Sequence, residues 1–133
     1  MDPWIRLGRT YESALQAVQE SQMAVAFHQK RRLGFILWTT CGLLNGYIRT
    51  IAVEPAYQGR GLGQQLVAHA EHAILKQSPN VFLCVSSFNG RARQLYERLG
   101  YEQVGCLTNF VIPGHDEFLM RKAGPSWKEF RPV

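Results

Sequence analysis

The sequence predicts one mixed α/β domain, α+β in layout, and three observations carry that prediction. Short runs rich in Val, Ile, Phe, Leu and Trp recur between turn residues, as strands do. Two segments repeat their apolar residues at helical spacing, one on each side of the apolar run Val81 to Val85, so strand and helix alternate in the middle of the chain. At 133 residues, 46% hydrophobic and 19% charged, the chain suffices for one buried core, and no apolar run approaches the ~18 residues that span a bilayer.

A helix is predicted over Thr10 to Gln19, where Tyr11, Ala14, Leu15 and Val18 share a face. Met23 to His28 and Leu33 to Thr39 read as strands joined by a charged turn at Lys30-Arg31-Arg32. Cys41 to Gly46, with two glycines and an asparagine, is a hairpin connection to a third strand, Tyr47 to Val53, which Glu54-Pro55 ends. A glycine-rich loop leads to an amphipathic helix from about Leu62 to Lys76, stopped by Ser78-Pro79-Asn80. Val81 to Val85 is a continuous apolar strand of the kind buried on both faces. Phe88-Asn89-Gly90 opens a second helix, about Arg91 to Leu99, with Ala92, Leu95, Tyr96 and Leu99 on one face and Gly100 as terminator. Tyr101 to Val111 and Glu117 to Met120 read as closing strands around a Pro113-Gly114 turn. Residues 1–122 form the expected domain and 123–133 a polar tail.

Cys41, Cys84 and Cys106 are far apart and lack the close spacing of metal or redox pairs, which points to a reducing, cytoplasmic compartment and no metal. Residues Met1 to Arg9 carry no apolar stretch like that of a signal peptide, and no membrane partner is expected. The net charge of +5 suits a polyanion, but the basic residues are dispersed and no aromatic-interleaved basic run is present. A polyanionic small molecule accounts for the charge better than nucleic acid does.

The chemistry is concentrated in Val53-Glu54-Pro55-Ala56-Tyr57-Gln58-Gly59-Arg60-Gly61-Leu62-Gly63, a strand, a glycine-rich turn and a helix start. Glycines permit positive φ and close approach of an anion, and the first amides of a helix are unpaired donors at the positive end of its dipole. The dinucleotide pattern Gly-x-Gly-x-x-Gly is not met by Gly59, Gly61 and Gly63, and the Gly-Lys-Ser/Thr of the triphosphate loop is absent. Gln58, Gly61 and Gly63 instead match the Gln/Arg-x-x-Gly-x-Gly/Ala signature of the GCN5-related N-acetyltransferase (GNAT) superfamily. Asn89, Ala92, Tyr96, Gly100 and Tyr101 match its Asn-x-x-Ala-x-x-x-Tyr-x-x-x-Gly-Phe/Tyr stretch, one helix and one strand later. The resemblance covers Leu33 to about Met120.

The resemblance implies a mostly antiparallel sheet, helices on both faces, and a splay between two central parallel strands, here Tyr47 to Val53 and Val81 to Val85. It also implies a front shorter than the family's strand and two helices, since some twenty residues precede the first hairpin. The activity implied is transfer of an acetyl group from acetyl-coenzyme A to a primary amine by direct attack in a ternary complex. The main chain of Ile51, Ala52 and Val53 would pair with the pantetheine arm, and Gln58, Gly59, Arg60, Gly61, Leu62 and Gly63 would hold the pyrophosphate. Tyr96 would act as general acid, although helix periodicity alone makes it a packing residue. Asn89 either caps its helix or contacts the pantetheine, beside Ala92. For the base, the family's strand position falls near Tyr47, which is no carboxylate. Glu54 stands as a candidate, and Asp116 and Glu117 as residues that would draw in a cationic acceptor. His28 and His115 read as surface or structural residues. Three rival readings are an acyl-coenzyme A binding module without catalysis, a basic nucleic-acid-binding domain, and a homodimer whose partner replaces the missing front wall.

Overall fold

A computed structural model describes residues 21–42 and 44–133; the helix predicted over Thr10 to Gln19 lies outside them. Six strands form one sheet in the order β1-β2-β3-β4-β6-β5. They are β1 Gln22–His28, β2 Arg31–Thr39, β3 Tyr47–Val53, β4 Asn80–Ser86, β5 Glu102–Leu107 and β6 Glu117–Ala123. Two helices, α1 Leu62–Ile74 and α2 Gly90–Arg98, connect β3 to β4 and β4 to β5. Every strand pair is antiparallel except β3 with β4.

Strand alternation sets the core. Ile36, Trp38, Ile48, Val81, Leu83, Val85 and Met120 share a face and cluster with Leu66, Val67, Ala70 and Ile74 of α1 and with Tyr96 of α2. Both described helices therefore pack on one side of the sheet. Leu37 points to the other side and is also fully buried, outside that cluster. Each large side chain that α1 buries contributes about 1.5–3 kcal/mol, so its apolar stripe fixes the helix more firmly than helix propensity does.

The parallel pair is short. β3 and β4 pair only at Tyr47↔Phe82 and Ile48↔Leu83 and then part. On the other side of β3, the register with β2 shifts between Leu37 and Trp38, which face Thr50 and Ile48 and leave Arg49 as the extra residue. A bulge bends its strand and increases local twist. This one lies where β3 leaves β4, and a gap follows beside Ile51, Ala52 and Val53.

Several boundaries differ from the sequence expectation, each for a local reason. The first turn starts one residue early, at Gln29 with φ 56, and closes two residues early, so Arg31 and Arg32 belong to β2 rather than to the turn. Helix α1 stops at Ile74, whose carbonyl accepts the amides of both Gln77 and Ser78 at 2.9 Å. Strand β5 ends at Leu107, short of Val111. Asn109, at φ 53, accepts the Gly114 amide through Oδ1 at 2.7 Å and closes a loop rather than a tight turn. Strand β6 runs on to Ala123, paired with Asn80 of β4. The residues after it fold back on the domain, with Gly124 N donating to Pro79 O at 2.7 Å and Val133 N to Lys76 O at 3.0 Å. Among the described residues, no helix is long and apolar enough to cross a membrane.

Candidate active site

The gap between β3 and β4 opens into a cleft of about 440 Å³ walled by the turn before α1 and by α2. The turn is built in steps from the strand end. Glu54 N donates to Leu33 O at 2.8 Å, and Pro55–Tyr57 forms a single 3₁₀ turn in which Tyr57 N donates to Glu54 O at 2.8 Å. Gln58 then reaches back, its Nε2 donating to Val53 O at 3.0 Å. That bond ties the loop to the end of β3, which gives Gln58 a positioning role in the turn. Gly59 at φ 78 and Gly61 at φ 81 take left-handed conformations, and Gly61 is the N-cap of α1.

Gly61 brings no side chain to the cap, and the first amide of α1 to find a backbone acceptor is that of Gln65, bonded to Gly61 O at 3.1 Å. Among the described residues, the amides of Leu62, Gly63 and Gln64 are left as donors at the positive end of the helix dipole. Gly63 is different in kind: it has no positive φ, and a Cβ there would sit 3.8 Å from Val53 and 3.9 Å from Ile51, in ordinary contact with the strand beneath.

The second wall begins at Asn89. Its Oδ1 accepts the Ala92 amide at 3.2 Å, so the capping alternative is met, while the residue also lines the cleft. Arg91 extends across toward the turn, its Nη2 3.4 Å from where a Cβ on Gly59 would lie. Arg98 also lines the cleft, and among the described residues no acidic one does. Charge and unpaired amides thus select an anion. Arg60 stands at the rim, 5.4 Å over the Tyr57 ring, with Arg31 at 5.5 Å from the same centroid.

Tyr96 lies at the inner end of the cleft, 8% exposed, with the Tyr101 ring against it edge-on at 5.9 Å. Burial pushes its hydroxyl up to about 12. Burial first, and then the charge of Glu71, moves Tyr101 upward as well.

Of the residues predicted from sequence, Ile51, Val53, Gln58, Gly59, Gly61, Gly63, Asn89, Ala92 and Tyr96 converge on the cleft. Ala52 lies between Ile51 and Val53 with its side chain on the other face, and Leu62 packs toward the core. Glu54 lies outside the cleft, and Arg31 donates to its Oε1 at 2.6 Å. Gln64, Arg91, Leu95 and Arg98 were not anticipated. The only sequence signal for the two arginines is an excess of basic residues in α2, Arg91, Arg93 and Arg98. Among the described residues, no three His, Cys, Asp or Glu side chains converge as metal ligands.

Comparison with known proteins agrees with this geometry. Residues 19–103 match the acetyltransferase (GNAT) domain family. The chain is 36% identical over 76 residues to the N-alpha-acetyltransferase RimI of Mycobacterium tuberculosis, covering 56% of this chain and 47% of that protein. Its fold superposes on the ribosomal-protein-S18-alanine N-acetyltransferase of Escherichia coli with a TM-score of 0.71 at 21% identity, covering 92% and 81% of the two chains. An aminoglycoside 6'-N-acetyltransferase solved with coenzyme A superposes with a TM-score of 0.70 at 20% identity, covering 92% and 81%. The chain spans about half or less of the length of the first curated relatives it matches. Together, the family match over most of the chain, the splayed parallel pair and the glycine turn leave one assignment: the chain belongs to the GNAT acetyltransferase domain family.

Proposed function

We propose that this domain transfers an acetyl group from acetyl-coenzyme A to a primary amine by direct attack in a ternary complex. The observation that carries the reading is the set of unpaired amides at Leu62, Gly63 and Gln64, placed beside the gap where β3 leaves β4. A linked pair of phosphates suits those amides together with Arg91 and Arg98. From there the pantetheine arm would run along β3, whose edge past Ile48 has no partner in β4 and offers main-chain groups for strand-like pairing at Ile51 and Val53. One such amide would polarise the thioester carbonyl and stabilise the oxyanion that forms on it.

Tyr96 supplies the hydroxyl nearest the departing sulfur in this reading. Its elevated pKa of about 12 keeps it protonated throughout the physiological range. A free thiol titrates near 8.5, so complete proton transfer from Tyr96 to the thiolate is uphill by about 5 kcal/mol. Tyr96 therefore acts by hydrogen-bonding the developing negative charge on sulfur rather than by giving up its proton. Most of the acceleration would come from positioning and from backbone stabilisation of the oxyanion.

The test has two readings, taken on one preparation. Calorimetry at low ionic strength should detect coenzyme A binding, and free thiol should appear when acetyl-coenzyme A is offered with peptides bearing free N-termini, lysine peptides, polyamines or aminoglycosides. Binding with no turnover on any amine would favour the non-catalytic module. Absence of binding would overturn the proposal entirely.

A further inference from the structure

Among the described residues that line the cleft there is no carboxylate to take a proton from an alkylammonium acceptor, yet such an amine cannot attack until it loses one. The other face of the sheet does hold one. Glu117 opens β6 and pairs in register with Ser86 of β4 and Leu107 of β5. The start of the strand is tied to the end of β4, with Ser87 N donating to Asp116 O at 2.8 Å and Asp116 N to Ser87 Oγ at 3.2 Å. Because Phe118 and Met120 pack against the helices, Glu117 faces away from them, as Cys84 and Ser86 do.

Glu117 is 7% exposed, and among the described residues its carboxylate has no hydrogen bond or ion pair. Its oxygens are not among the fully buried, unpartnered polar atoms, so they reach the surface beside the opening in the sheet, where a cation that arrives with a ligand can meet them. The Cys84 thiol interacts with Glu117 on one side and with Tyr47 of β3 on the other. These three side chains form a line across the face at the point where β3 and β4 part. Cys84 does not suit the role of nucleophile, because burial first, and the charge of Glu117 as well, hold its thiol protonated. On β3, β5 and β6 the other charged groups of that face among the described residues are Arg49, Glu102 and Arg121; Glu102 pairs in register with Arg121, which donates to Asn80 Oδ1 at 2.8 Å. β5 presents Leu107 opposite Glu117.

We propose that Glu117 receives the ammonium group of the acceptor on the face opposite the coenzyme cleft and removes its proton before attack. This rests on the acetyl-transfer reading above. One proton passes from the ammonium to the Glu117 carboxylate, and the nitrogen lone pair forms the C–N bond. The C–S bond breaks with its electron pair on sulfur, which Tyr96 hydrogen-bonds. The second excess proton leaves nitrogen as the amide forms and neutralises the thiolate; Glu117 returns its proton to water. Base and hydrogen-bond donor then approach the thioester from opposite faces of one gap.

The experiment compares the wild-type chain with Glu117→Gln in acetyl transfer to primary alkylamines between pH 6 and 9, with coenzyme A binding measured on the same samples. Glu117→Gln should bind coenzyme A within twofold of wild type and lose about a hundredfold in kcat/KM at pH 7. The deficit should shrink about tenfold per pH unit, because the neutral fraction of an amine with pKa about 10 grows tenfold per unit. A kcat/KM within threefold of wild type, or a deficit equal at every pH, overturns the proposal; the second pattern is what a merely structural role gives. Should Glu117→Gln fail to bind coenzyme A, Glu117→Asp decides: a lowered rate with a wild-type pH profile supports the role, and a wild-type rate overturns it. A wild-type chain that neither binds nor turns over removes the acetyl-transfer reading itself, whereas an active wild type with an equally active Glu117→Gln removes this inference alone.

Discussion

Replacing Gly61 and Gly63 by alanine, one at a time, separates backbone conformation from spacing in the glycine turn. A Cβ on Gly61 would meet nothing within 4 Å, so steric contact contributes no cost there. The cost is conformational: at φ +81, an L-residue sits in the left-handed region at about 1–2 kcal/mol. Gly61→Ala has two outcomes. If the turn holds its shape, stability falls by that amount, about 3–8 °C in melting temperature for a domain of this size. If the turn relaxes to negative φ, the amides after it rotate away from the anion, and each lost charge-assisted bond is worth about 1.5–3 kcal/mol, roughly ten- to 150-fold in coenzyme A affinity. Gly63→Ala introduces neither effect. Its φ is already accessible and its Cβ would rest 3.8 Å from Val53, so affinity should stay within about threefold and stability should rise by about 0.4–1 kcal/mol. Calorimetric titration with coenzyme A, paired with thermal melts, reads both quantities. The reasoning is refuted if Gly61→Ala binds and melts like wild type, or if Gly63→Ala is the more damaging of the two.

Three further outcomes follow from the same geometry. Tyr96→Phe should leave coenzyme A affinity within threefold and reduce kcat roughly ten- to a hundredfold in steady-state thiol release, since it removes only a bond made to the departing sulfur; an unchanged kcat would assign Tyr96 to packing. Stability should fall with alkalinity between pH 10 and 12: the unfolded phenol ionises near 10 and the buried Tyr96 near 12, so about 1.4 kcal/mol is lost per pH unit and about 2.7 kcal/mol in all, with Tyr101 acting in the same direction. Denaturant melts across that range should be flatter in Tyr96→Phe. Arg91→Ala should weaken coenzyme A binding about tenfold and reduce the dependence of log affinity on log salt, because its guanidinium reaches from α2 to within van der Waals distance of a Cβ at Gly59 and so adds a charge to the turn.

Much of the fold is legible from local chemistry. The predicted bounds of β3, Tyr47 to Val53, are the observed ones, because Gly46 at φ 85 and the Glu54-Pro55 pair punctuate both ends. Helix α1 begins at Leu62 as expected, since a left-handed Gly61 leaves no other start. Errors arise where a long-range bond overrides a local signal. The apolar pattern of β6 ends at Met120, but Arg121 continues the strand with its Nε donating to Asn80 Oδ1 at 2.8 Å, and Lys122 does so with Nζ 2.8 Å from Glu71 Oε2. Neither partner is visible from a window around residue 120.

The site divides along the same line. Residues that act through backbone conformation, Gly59 and Gly61, declare themselves in sequence, because few side chains tolerate their φ. Residues that act through reach do not. Arg91 reads as an exposed position on an amphipathic helix until the fold brings it to Gly59. Glu117 reads as the polar first residue of a short strand; only the register with Ser86 and the alternation with Phe118 place it on the face opposite the helices. The gap opens beside the extra residue, Arg49, between the β3 positions that face Leu37 and Trp38. Parallel pairing ends at Ile48 and Leu83, and past the bulge the β3 main-chain groups proposed to meet the thioester arm have no partner in β4. The opening thus coincides with a single register shift, which hydrophobic pattern alone does not encode.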